Sequence, residues 1–467
     1  MLFSSLTFLH IFLPSVLVFY FLSSREARNY ILLVASIIFY AWGEPLYLAM
    51  MLFTITANYA GAIAIESMRT PGGKKAALWL AVIVDLGFLF YFKYFNFFVS
   101  NLNRMEVFDI PFIEVIMPIG ISFYTFQAMS YLIDVYRGEV RAQRDFYKLA
   151  LYISLFPQLV AGPIVKYHDV YEEINSRRES FDRFVMGLKR FIIGLAKKVL
   201  LANTIGAVVD VIFALPVEEL SASVAWMGII SYTLQLYFDF SGYSDMAIGL
   251  GHMFGFRFLE NFNYPYVSKS VTEFWRRWHI SLSTWFKQYL YIPLGGNRVS
   301  KPRQYLNLFI VFLATGFWHG ASWSFVLWGV WNGIFIILEK LTNFTRETES
   351  RLVNALKHVY GYVIFTLGLV IFRADDLPYA WGYLRLMLGG LETSAENGIG
   401  YYADNFFIAA FLVGAPASIG LFKNILEWGN RTTLRTWIVN IYLIALYLLT
   451  FLCLAGSTYN PFIYFRF

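Results

Sequence analysis

The chain has 467 residues, 58% of them apolar, 20% aromatic and only 15% charged. That much charge cannot clothe a soluble globule of this size, so much of the surface must face lipid. The formal net charge of +6 is small for the length and sits in short loops between apolar runs, an orientation signal and not affinity for nucleic acid. A single cysteine, Cys453, excludes an intramolecular disulfide framework and a thiolate metal cluster.

A crossing takes about 20 apolar residues. In chain order, such runs lie near 3–22, 30–43, 46–66, 76–99, 112–135, 146–165, 184–213 and 222–240, and again near 304–318, 322–338, 354–372, 403–422 and 434–456. The first run has no basic leader and no small-residue cleavage site, and further spans follow at once, so it is expected to be a retained helix. About 10 to 12 crossings follow from the length rule, in an all-α polytopic protein read as one membrane domain over 1–467. Lys and Arg gather at Arg25–Arg28, Arg69–Lys75, Arg137–Lys148 and Lys166–Arg190. Alternate crossings then put these loops inside and the amino terminus outside.

The stretch 241–300 is too polar and too rich in glycine to be one simple span. Within it, TEFWRRWHISLSTWFKQYL (272–290) sets Trp275, Trp278, Leu282, Trp285 and Tyr289 on one helical stripe, with Arg276, Arg277, Ser281 and Lys287 off it. A central Arg or Lys costs about 2.5–3.5 kcal/mol in a crossing helix. This helix should therefore lie at the interface or dip into the protein. A plain interfacial anchor would account for the stripe; His279 beside Trp278 argues for more.

His319 lies in ATGFWHGASWSFVLWGVWNG, flanked by Gly316 and Gly320. An ionisable group at membrane depth is a functional candidate, the bland alternative being a bond to a neighbouring helix. The run LQLYFDFSGYSDMAIGLGHMFGFRFLENFNYPY adds Asp239 and Asp245, with Gly242, Gly249, Gly251 and Gly255 available for tight turns. Both acids read first as packing residues needing partners, Arg276 or Arg277 being candidates. His10 and His252 read as structural, His168 and His358 as loop residues. No G-x-x-x-x-G-K-[ST], G-x-G-x-x-G, G-x-S-x-G or H-E-x-x-H motif is present, so nothing suggests a nucleotide engine or a triad hydrolase.

Seven segments together resemble the bacterial branch of the membrane-bound O-acyltransferase family, that of the alginate and peptidoglycan O-acetyltransferase membrane subunits. They are FYAWGEP (39–45), MPIGISFYTFQAMSYLIDVYRG (117–138), FPQLVAGPI (156–164), FDFSGYSDMAIGLG (238–251), ENFNYPY (260–266), FWRRWHISLSTWF (274–286) and GFWHGASW (316–323). The D-alanyl teichoic acid transferase subunit is a more distant likeness.

The resemblance implies a ring of helices around a tunnel, with re-entrant or interfacial helices and a catalytic core segment over 238–340. It implies that His319 is the active-site histidine deep in that tunnel and His279 the second histidine, on the re-entrant helix. It also implies a cytoplasmic-membrane location, an extracytoplasmic acetyltransferase partner, a polysaccharide as final acceptor and, by the teichoic acid system, a tail tyrosine, here Tyr464, as an acyl relay. The tail over 457–467 reads equally as an interfacial aromatic anchor.

The chemistry expected is transfer of an acyl group, taken as acetyl, from a cytoplasmic thioester, acetyl-CoA or an acyl carrier. Arg276, Arg277 and Lys287 are candidates to bind that donor, and Asp239 or Asp245 to orient a histidine, with no bound cofactor and no metal expected. A polytopic transporter or flippase is the competing reading, and it predicts repeated halves that the sequence does not display.

Overall fold

In lipid an apolar backbone must satisfy its own N–H and C=O groups, which for these runs means helix. The computed structural model describes residues 1–160, 162–391, 394–429 and 432–463, and among them helices and connecting segments are present but no strand. Among the described residues six helices are long and apolar enough to cross a bilayer: Pro45–Ser67, Pro71–Asn103, Phe181–Ala214, Trp323–Leu341, Arg351–Arg373 and Thr433–Gly456. Shorter apolar helices cover Phe8–Leu22, Arg28–Ala41 and Asn405–Ser418. In Thr433–Gly456 the large side chains Leu434, Trp437, Ile441, Ile444, Leu448 and Leu452 all stand exposed, a lipid-facing stripe at helical spacing. The protein is an all-α, multi-pass membrane protein.

The chain forms two compact units, residues 1–191 with 246–259 and residues 192–245 with 260–467. In the first, Phe8, Phe12, Phe39 and Phe156 interlock at ring separations of 5.4–6.3 Å. The buried Tyr20 hydroxyl there accepts from Arg177 at 2.8 Å and donates to Glu179, which also pairs with Arg28 at 2.8 Å. In the second, Lys301–His319 and Trp323–Leu341 form a helical hairpin, packed further by Arg351–Arg373.

Two local expectations are corrected. The span near 222–240 does not stop there: Ala222–Met253 is one helix of 32 residues. Its glycines serve close packing instead of turns, since a Cβ on Gly242 would lie 2.7 Å from the Gly194 carbonyl oxygen and one on Gly249 2.6 Å from that of Gly187. Only Gly255, past the helix end, takes a positive φ, at 86°. His168 and His358 are helical and not in loops, His168 against Asp134 at 3.1 Å and His358 against the Ser268 carbonyl at 3.2 Å.

Candidate active site

The second unit carries both candidate histidines. Lys301–His319 ends at His319, where Gly320 turns extended and Ser322 caps the returning helix through the Phe325 N–H. The hairpin can be this tight because a Cβ on Gly316 would stand 2.4 Å from the Phe325 oxygen and 2.9 Å from the Gly329 Cα, so only a bare backbone fits. His319 is buried among Trp318, Trp328 and Phe372, at ring separations of 5.0, 5.1 and 5.4 Å. It lines a narrow cavity of about 20 Å³ with Leu236, Phe240, Trp278, Phe365 and Leu369. That is room for about one water molecule.

The tryptophan stripe is not one helix. Val271–Arg277 stops, and Ile280–Phe286 restarts after His279, whose φ of 43° is left-handed. A non-glycine residue at such a φ persists only where its surroundings over-determine it. Here the agent is Asn261, fully buried. Its Oδ1 accepts from Ser281 N–H at 3.1 Å, from Ser281 Oγ at 2.9 Å and from His279 Nδ1 at 3.3 Å, while its carbonyl takes the Ile280 N–H at 2.9 Å. A carbonyl oxygen can only accept, so His279 carries its proton on Nδ1. Burial, with His319 nearby, pushes the His279 pKa well below the ordinary imidazole value, which keeps the ring neutral. Its edge meets Phe240 at 4.6 Å, and Phe240 also lines the His319 cavity.

Two further side chains of Trp323–Leu341 hold this broken segment. Buried Glu339 caps Val271–Arg277, accepting from Val271 N–H at 2.6 Å, Thr272 N–H at 2.9 Å and Thr272 Oγ1 at 2.6 Å. Buried Asn332 accepts from the Trp275 indole at 3.1 Å. A carboxylate at a helix N-terminus meets the positive end of the helix dipole as well as its spare N–H groups.

The remaining candidates separate. Arg276 and Lys287 are exposed, whereas Arg277 is half-buried and donates to Glu273 at 2.9 Å. Neither candidate arginine partners the acids. Asp239 pairs with Lys198 and Asp245 with Lys197, each at 2.6 Å, the lysines being adjacent at the start of a π-helical stretch, Lys197–Asn203. Tyr464 lies outside the described residues. The described part of the tail is no surface belt: Phe462 and Ile463 are buried, with Phe462 stacked on Tyr243 at 4.8 Å.

Sequence reading missed Asn261, Asn332, Glu339, Lys197 and Lys198. The lysine pair carried a usable signal, since two cations in the apolar run IIGLAKKVLLANTIG demand two anions at similar depth. Asn261 lay inside the ENFNYPY segment without a role of its own.

The family model described as MBOAT, membrane-bound O-acyltransferase family, matches residues 137–373. A Pseudomonas putida protein named "Probable alginate O-acetylase AlgI" is 42% identical, with all of both chains aligned. A peptidoglycan O-acetyltransferase of Helicobacter pylori is 35% identical over 89% of this chain and 86% of its own. A teichoic acid D-alanyltransferase of Bacillus subtilis is 26% identical over 47% of this chain and 58% of its own. With a family match over half its length and a full-length relative at 42% identity, the chain belongs to the membrane-bound O-acyltransferase family and is a membrane-bound acyltransferase.

Proposed function

We propose that this enzyme passes an acetyl group from a cytoplasmic thioester, acetyl-CoA or an acyl carrier, across the inner membrane toward hydroxyls of an extracytoplasmic polysaccharide. The observation that carries the reading is His319, a buried imidazole in a narrow, aromatic-lined cavity. A coenzyme is large and anionic and cannot cross lipid, so only the acyl group need pass. Exposed Arg276 and Lys287 attract the donor's phosphates at its approach.

In the transfer step, neutral His319 takes the proton of the acceptor hydroxyl as its oxygen attacks the thioester carbonyl. The C–S bond then breaks and the imidazolium returns the proton to the departing thiolate, leaving an ester and a free thiol. A positioned imidazole contributes about 100- to 10,000-fold in this role. His279, whose Nδ1–H donates to Asn261, keeps Nε2 as a hydrogen-bond acceptor in the same aromatic cluster, where it supports the imidazolium that forms on His319. Asp239 and Asp245 are matched by lysines and are given no proton to carry. The acetyl group leaves by an acceptor hydroxyl, Tyr464 being the candidate, for a partner transferase outside the membrane that finishes delivery onto the polymer.

The test is the purified protein in lipid with labelled acetyl-CoA, following thioester loss and label on the protein. Turnover that disappears in His319→Ala supports the reading. Turnover unchanged in that variant removes His319 from the chemistry.

A further inference from the structure

We propose that the buried Lys198–Asp239 pair is a clamp built to receive the chain's own C-terminal segment, which makes Lys198, Asp239 and Asn203 positioning residues for the tail. This deepens the acyl-transfer reading and rests on it for its purpose, though not for its physics. The ammonium of Lys198 has three N–H groups and three oxygens around it: Asp239 Oδ1 at 2.6 Å, Asn203 Oδ1 at 2.8 Å and the Pro461 carbonyl of the tail. The other carboxylate oxygen of Asp239 accepts the Ile463 N–H at 2.8 Å. Asn203 Nδ2 also donates to Asn460 Oδ1 at 3.1 Å, and Tyr459 OH donates to Asp210 at 2.7 Å.

The pair is therefore incomplete without the tail: among the described residues, one ammonium donor and one carboxylate acceptor, both buried, are satisfied only by backbone from 461–463. A plain aromatic anchor needs no such device, because burial of Phe462 and Ile463 alone would hold it. The clamp fixes the backbone up to the residue before Tyr464. It also does so beside the histidine site: Pro461, Phe462 and Ile463 wall a cavity of about 190 Å³ with Gln235 and Arg373, whose chain neighbours Leu236 and Phe372 line the cavity of His319. The tail is thus held next to the helix segments that line the histidine cavity.

The clamp is tested on the full-length protein in lipid nanodiscs by digestion with carboxypeptidase Y, read by intact mass. Wild type should lose no more than the last four residues, Tyr464 to Phe467, at the early times. In Lys198→Met/Asp239→Leu, which removes both charges and so leaves neither stranded, digestion past Ile463 should run about 10- to 100-fold faster, the effect of losing charged hydrogen bonds to the tail. Asn203→Ala, a milder change that carries the same comparison should the double variant not fold, should speed it about 3-fold or more. Trimming past Ile463 at the wild-type rate in a folded variant overturns the clamp.

The same variants separate a positioning role from a merely structural one. The KM for the thioester donor should stay as in wild type while kcat for acetyl transfer to the acceptor falls; equal kcat in the two proteins, with the tail released, would overturn the positioning role. A wild-type protein that turns over no thioester would refute the acyl-transfer reading and leave the trimming comparison standing.

Discussion

Asn261→Ala is the most informative perturbation of the candidate site that leaves both histidines in the sequence. The substitution removes one oxygen that accepts from Ser281 N–H, Ser281 Oγ and His279 Nδ1. Each buried donor left without an acceptor costs about 1–3 kcal/mol. The three share one pocket and do not add fully, so a loss of about 3–4 kcal/mol is expected. The Ile280 N–H keeps its bond to the residue 261 carbonyl, but the side-chain bonds that fix His279 at its left-handed φ of 43° are lost, and the imidazole relaxes away from Phe240. A displacement of about 1 Å at a catalytic group costs on the order of 100-fold in rate. The assay is thermal unfolding in micelles by tryptophan fluorescence, paired with thioester turnover. A lower midpoint with kcat down by that factor and donor KM unchanged is the expected pattern. An unchanged midpoint with turnover within about 2-fold of wild type would refute the argument that Asn261 enforces the break.

Glu339→Gln keeps the shape of the cap but removes its charge, and it should loosen Val271–Arg277 by about 1–3 kcal/mol. Tryptic cleavage at Arg276 and Arg277 should then quicken about 10-fold; an unchanged rate would mean that the cap does not hold the segment. The neutral His279 makes a pH prediction of definite sign. Its folded pKa is depressed below the ordinary 6.5, so on acidification the unfolded chain binds a proton that the folded chain refuses. Stability should be insensitive to this group above that pH and fall below it by about 1.4 kcal/mol per pH unit. His279→Gln should flatten the dependence of unfolding free energy on pH by about one proton, and an identical slope in both proteins would show the imidazole to be charged in the fold.

Helix content, the membrane class and the two histidines were legible because each leaves a local trace: long apolar runs, scarce charge and an imidazole set in apolar sequence. The break at His279 left none. Trp275, Trp278, Leu282 and Trp285 keep helical spacing straight through it, and the cause is Asn261, 18 residues upstream of His279. The acids' partners were misjudged for the same reason. Arg276 and Arg277 were attractive as nearby cations, but helix packing brings Lys197 and Lys198 to Asp245 and Asp239 from a different element. The glycines of 242–251 allow two readings in sequence, turn or close helix contact, and only the carbonyls of Gly187 and Gly194 decide between them.

We propose His319 as the base whose proton transfer moves the acyl group. The direct measurement is consumption of labelled acetyl-CoA by purified wild type and His319→Ala reconstituted in lipid, with unfolding midpoints measured on both. The variant should stay folded, with a midpoint lowered by the cavity that the lost imidazole leaves, and its turnover should be lower by at least about 100-fold. Turnover equal to wild type in a folded His319→Ala protein would contradict the assignment.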